Sequence, residues 1–150
     1  MANKRFFAGI LVMALVFGIT VIACDNGSTD NTDSANTDPA LNGTWIASGM
    51  ELKLDNGKFE VSSGGNSVYK GTYTTKDGSF TLTTTHIWGK TVYSNLEAKW
   101  YSKADLKAVG LSEAQLNEWF ASQTGTYSVT STTLTVTYSG GGKATYTKKQ

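Results

Sequence analysis

Few residues in this chain can make or break bonds, and they are scattered. His86 is the sole histidine and Cys24 the sole cysteine of 150 residues. A histidine titrates near neutrality and so suits a general base or a ligand-orienting group. No serine or cysteine nucleophile motif lies beside His86 in sequence. Glycoside hydrolysis needs two facing carboxylic acids, and Glu97, Asp105, Glu113 and Glu118 fall at spacings that pair none of them. One cysteine and one histidine supply no Cys/His metal site, and a lone cysteine forms no intrachain disulfide. These residue types point to a non-catalytic protein without metal or cofactor.

Cys24 has a different chemistry in view. Met1 to Arg5 is a short basic start, Phe6 to Ile22 is almost continuously apolar, and the run ends in Val21-Ile22-Ala23-Cys24. The length alone would also suit a membrane-spanning helix, but the small residue and the cysteine at its end resemble the bacterial lipobox. That resemblance implies a cleaved signal peptide over 1–23 and acylation of Cys24, with diacylglyceryl and palmitate-type chains holding the protein on a bilayer. The expected location is the bacterial cell envelope, lipid-anchored outside the cytoplasm. Asp25 to Ala40 carries four aspartates and no large apolar residue, so it cannot bury enough surface to offset chain entropy. Residues 24–40 therefore read as a lipidated cysteine and a disordered acidic tether spanning roughly 20–25 Å. Asp25, Asp30, Asp33 and Asp38 lack the alternate-residue spacing of a calcium loop.

The remainder, 41–150, reads as one domain. It holds 14 aromatic residues and 11 lysines against 8 acids. The chain's only arginine is Arg5, in the signal segment. Arginine is the usual bidentate partner of phosphate, so a nucleic-acid partner is not expected. The chain's 22 threonines favour strands over helices.

An internal repeat sets the architecture. Gly43-Thr44-Trp45, Gly71-Thr72-Tyr73 and Gly125-Thr126-Tyr127 each lead, at the same spacing, to an alternating apolar pair: Leu52 and Leu54, Phe80 and Leu82, Leu134 and Val136. Each copy reads as a β-hairpin. The turns Asp55-Asn56-Gly57, Gly64-Gly65-Asn66, Lys76-Asp77-Gly78 and Gly140-Gly141-Gly142 agree. Strands are expected over 43–48, 50–55, 58–62, 67–75, 79–88, 91–100, 125–130, 132–138 and 143–148. Between them, Ser102-Lys103-Ala104-Asp105 and Ser112-Glu113-Ala114-Gln115 form two capping boxes around Gly110. They predict short helices over 103–109 and 113–121, an insert that either covers one end of a barrel or packs on a sheet edge.

Leu41-Asn42-Gly43-Thr44-Trp45 resembles the Gly-x-Trp opening of lipocalins and fatty-acid-binding proteins. That resemblance implies an all-β, antiparallel up-and-down β-barrel of about 8–9 strands, lipocalin-like, with the two-helix insert near 102–121 as an addition. It also implies that Lys148 or Lys149 packs on Trp45, where lipocalins use an arginine.

Strict alternation along 79–88 puts His86 and Trp88 on the inward face with Phe80, Leu82 and Thr84. Alternation along 91–100 does the same for Val92, Leu96, Ala98 and Trp100. Trp88, Trp100, Trp119 and Phe120 are then the expected lining of an apolar ligand cavity, with His86 as its polar group. Ordinary core packing is the simpler reading of the same residues. On the opposite face, Tyr93 and Tyr101 offer rings to a sugar or a protein. The expected partners are the bilayer through Cys24, and either a small hydrophobic ligand or an envelope protein or glycan; a surface coat protein without a small-molecule ligand is the remaining alternative.

Overall fold

The computed structural model describes residues 37–150. The expected lipobox, signal segment and tether as far as Asn36 lie outside them. Nine strands form one antiparallel sheet: β1 Gly43–Ala47, β2 Met50–Asp55, β3 Lys58–Ser63, β4 Asn66–Lys76, β5 Ser79–Trp88, β6 Trp100–Ser102, β7 Gln123–Val129, β8 Thr133–Tyr138 and β9 Lys143–Lys148. Eight of them close on themselves in the order β1-β2-β3-β4-β5-β7-β8-β9, and β6 pairs only with the last three residues of β5. The domain is a closed eight-stranded up-and-down barrel with one extra strand.

Local chemistry explains the meander. Asn56 and Asp77 take φ of 44° and 50° in two-residue turns, each followed by a glycine, as a type I′ hairpin turn requires. Glycine opens the second and third repeat copies because strands come too close there for anything larger. A Cβ on Gly71 would lie 1.9 Å from the Thr83 carbonyl oxygen, and one on Gly125 would lie 2.2 Å from that of Thr137.

The three repeat aromatics converge on one end of the barrel and hold the chain as it enters. Trp45 Nε1 donates to the Leu41 carbonyl (2.8 Å), Tyr73 Oη to Asn42 Oδ1 (3.3 Å) and Tyr127 Oη to Asp38 Oδ2 (3.0 Å). The Asp38 N–H donates to Thr75 Oγ1 (2.8 Å), and a 3-10 turn over Pro39–Leu41 sets Leu41, 3% exposed, beneath the barrel. Asp38 to Ala40, expected within the tether, are thus docked onto the barrel wall. Trp45 is fully buried, pairs with Lys148 across β1 and β9, and has the Lys148 amine 5.1 Å from its ring centroid.

The opposite end carries the insert. It comprises α1 Gly89–Val92, α2 Lys103–Ala108 and α3 Glu113–Trp119. Ser102 and Ser112 cap α2 and α3 with full capping boxes, through Asp105 and Gln115, and Gly110 breaks the chain between them at φ 97°. Leu106 and Leu116 are fully buried in a second core with Ile87, Val92, Tyr101 and Leu111. Tyr69 packs against both this core and that of the barrel, so the insert covers its end of the barrel.

One expected strand is absent. Residues 91–100 form no strand before Trp100; α1 takes 89–92, and irregular chain follows. Val92 and Leu96 still meet the second core, but Ala98 is exposed. Their i, i+4 spacing is shared by strand and helix patterns, so both can meet one core without a strand between them.

Candidate functional site

Past the residues of β5 that pair with β7, β6 takes over as its neighbour, and β4, β5 and β6 form a ribbon that β3 flanks on the β4 side. Its two faces differ sharply, and a β-bulge decides which residues occupy each. Lys70 pairs with His86 but Gly71 pairs with Thr84, leaving Thr85 as an extra residue on β5. Thr85 Oγ1 donates to the Lys70 carbonyl across this irregularity (3.4 Å). The extra residue reverses the alternation of β5. Phe80 and Leu82 face the barrel core, whereas past the bulge it is Ile87 that is buried.

His86 and Trp88 therefore stand on the outer face, against the inward placement that strict alternation predicts. Trp100 joins them: it pairs with Trp88, while its neighbour Tyr101 pairs with Ile87 and is 6% exposed in the second core. Tyr101 is thus not an outer-face ring. Tyr93 is exposed at 40%, on the loop after α1.

The outer face of the ribbon has a definite build. The Trp88 and Trp100 rings meet edge to face, centroids 5.1 Å apart and planes at 73°. The Lys70 amine lies 4.5 Å from the Trp100 centroid, within the range of a cation–π contact. Lys70 has Glu60 as its cross-strand neighbour on β3, yet its amine turns to the indole, and Glu60 accepts from Ser67 Oγ instead (3.1 Å). His86 sits between Lys70 and Ser102 in the next cross-strand row, its Nδ1 3.0 Å from Thr85 Oγ1. The result is an aromatic corner flanked by an amine, an imidazole and a hydroxyl.

The carboxylate that follows Ser102 is engaged in the fold. Asp105 accepts from the Ser102 hydroxyl (2.7 Å) and the Ser102 N–H (2.9 Å). The hydroxyl bond, the amide bond and then the positive charge of Lys99 hold its carboxyl below the ordinary carboxylate range. Both partners of the capping box are thereby occupied, and the arrangement offers recognition groups to a ligand more readily than a proton relay.

Trp119 and Phe120, expected beside Trp88 and Trp100, are separated from them. They lie at the end of α3, half-buried against the second core. None of the five expected lining residues borders the barrel interior. That interior is filled by Leu52, Phe59, Tyr69, Leu82, Tyr138 and Tyr146 around a void of about 20 Å³, room for a single water. A polar groove at the entry end is already used by the fold, because Asp38 there accepts from both Tyr127 and the Ala40 N–H.

No protein-family model matches the chain, and comparisons with curated proteins and with solved structures find no match either. The functional reading rests on the residues themselves.

Proposed function

We propose that the protein is a non-catalytic binding module of the bacterial cell envelope, lipid-anchored through Cys24, that contacts envelope glycan with the outer face of its β4–β5–β6 ribbon. The observation that carries this reading is the Trp88–Trp100 corner with Lys70 over it. Sugar rings present C–H faces that stack on the electron-rich face of an indole. Their hydroxyls take hydrogen bonds from groups such as Lys70 and His86, which share this face. The described chain enters at the opposite end of the barrel, at Thr37 and Asp38, so an anchored domain would carry the corner on the end remote from its tether. The lipocalin resemblance fits the barrel and the Trp45–Lys148 contact. The water-sized void supports a contact outside the barrel over a lipid-like ligand inside it.

The test is titration with neutral oligosaccharides, followed by tryptophan fluorescence. Trp88→Ala and Trp100→Ala should each weaken binding by at least about tenfold while the thermal midpoint stays near that of the wild type. Undiminished binding in both variants would refute the assignment.

A further inference from the structure

The aromatic corner is the upper end of a longer surface. Below it, the outward positions of β4, β5 and β7 carry cross-strand rows of threonine: Thr72 opposite Thr83, then Thr74, Thr81 and Thr124 side by side. Thr124 continues the pattern through a hydroxyl–hydroxyl bond to Ser139 (2.9 Å), and Thr83 through one to Ser122 (3.1 Å). Between Lys70 and Lys76, the outward positions of β4 and of its neighbours β5 and β7 bear no charge, and Lys58 of β3, opposite Thr72, marks the edge of the strip. The outer face of β2 and β3 is the opposite case, with Lys53 facing Glu60 and Asp55 facing Lys58.

This strip has a regular geometry. Neighbouring strands stand about 4.8 Å apart, and alternate residues repeat roughly every 6.6 Å along a strand, so β5 alone supplies a run of about 30 Å. Each position offers one hydroxyl and one methyl. A ligand that repeats its own hydroxyls and C–H faces can meet such a lattice over and over with the same contacts. A nucleic acid would need cations for its phosphates. A folded protein partner would need an apolar, aromatic-rich centre, and a lipid surface an apolar or strongly basic face. An uncharged sugar polymer needs none of these.

We infer that the ligand of this surface is an extended, uncharged polysaccharide chain, seated at the Trp88–Trp100 corner and running along the threonine strip of β4, β5 and β7. The inference rests on the glycan reading above and adds ligand length and charge to it.

The experiment uses the detergent-solubilised full chain. It is titrated with size series, from disaccharide to hexasaccharide, of chitin, cellulose, β-1,3-glucan and α-1,4-glucan fragments, with polygalacturonate fragments as the acidic counterpart. For at least one neutral series, affinity should rise by about tenfold or more from the shortest to the longest member. The double substitution Thr81→Lys with Thr124→Lys should remove that gain while disaccharide binding and the circular-dichroism spectrum persist. Because both positions point outward, a variant that misfolded would be replaced by Thr81→Ser with Thr124→Ser, which removes the methyls and should roughly halve the gain or more. Equal affinity for all lengths, a gain untouched by the strip variants, or preference for polygalacturonate would overturn the extended neutral chain and leave the corner as a short-glycan site. Absence of binding to every series would overturn the glycan reading as well.

Discussion

The two ends of this barrel solve different problems with different residues. At the entry end, the three repeat aromatics turn their polar tips onto residues 38–42, and every contact closes the fold on itself. At the insert end, the repeat gives way to a bulge, an extra strand and two capped helices, and half-buried aromatic rings are left on the outer face. Duplicated hairpins supply a stable frame because each repeats a solved packing problem. The departures from the repeat are where surface not needed by the frame accumulates. The candidate site lies at those departures.

The largest expected effect is at the entry end. Trp45→Ala removes a fully buried indole and its contacts to Leu41 and Lys148, and should cost about 3–5 kcal/mol of stability, read as a lower denaturant midpoint. Leu116→Ala at the insert end should cost about 2–5 kcal/mol. Tyr69 joins the two cores, so this loss should appear in a single cooperative transition. Two separated transitions would show that the insert unfolds independently and would break the picture of one frame.

The barrel and the insert should also contribute oppositely to the pH dependence of stability. Burial raises the phenol pKa of Tyr69, Tyr138 and Tyr146 in the barrel. The folded state then holds these protons more tightly than the unfolded chain, so their contribution is complete below about pH 10 and is lost as pH rises beyond it. Phenolate absorbance should lag a free-tyrosine curve and then rise together with unfolding. In the insert, the bond from the Lys107 amine lowers Glu113, and the bonds from Ser102 lower Asp105. Their contribution is present above the ordinary carboxylate range and fades as pH falls through the depressed values. Both carboxyls are exposed, so the loss should be small, and helical and barrel signals should fall together as acid lowers the denaturant midpoint. The smallest effect expected is that of Ser112→Ala, which removes the α3 cap and should cost about 1 kcal/mol of stability, read from the thermal midpoint.

Much of the frame was legible in the sequence. Asn56-Gly57 and Asp77-Gly78 specify their turns, the Gly-Thr-aromatic repeats align hairpins, and Ser102 and Ser112 announce their helices through Asp105 and Gln115. The site was legible only in its membership. Trp88, Trp100 and His86 were recognisable as candidates, but their side of the sheet depends on one inserted residue within Thr83-Thr84-Thr85, where three identical side chains carry no phase. The signal present was Ile87, an apolar residue out of step with Phe80 and Leu82. The segment 89–99 misled for a related reason: Val92 and Leu96 are spaced by four, which strand and helix patterns share. The docking of Asp38 was hidden because an aspartate in a polar run says nothing of a tyrosine 89 residues away.

The most direct test of the central claim, that the aromatic corner binds while the repeat frame only supports it, is a paired measurement on Trp88→Ala, Trp100→Ala and the double variant. Oligosaccharide affinity and thermal midpoint are read on the same samples. The account predicts strong loss of affinity with little change in midpoint. Parallel loss of both, or retained affinity in the double variant, would contradict it.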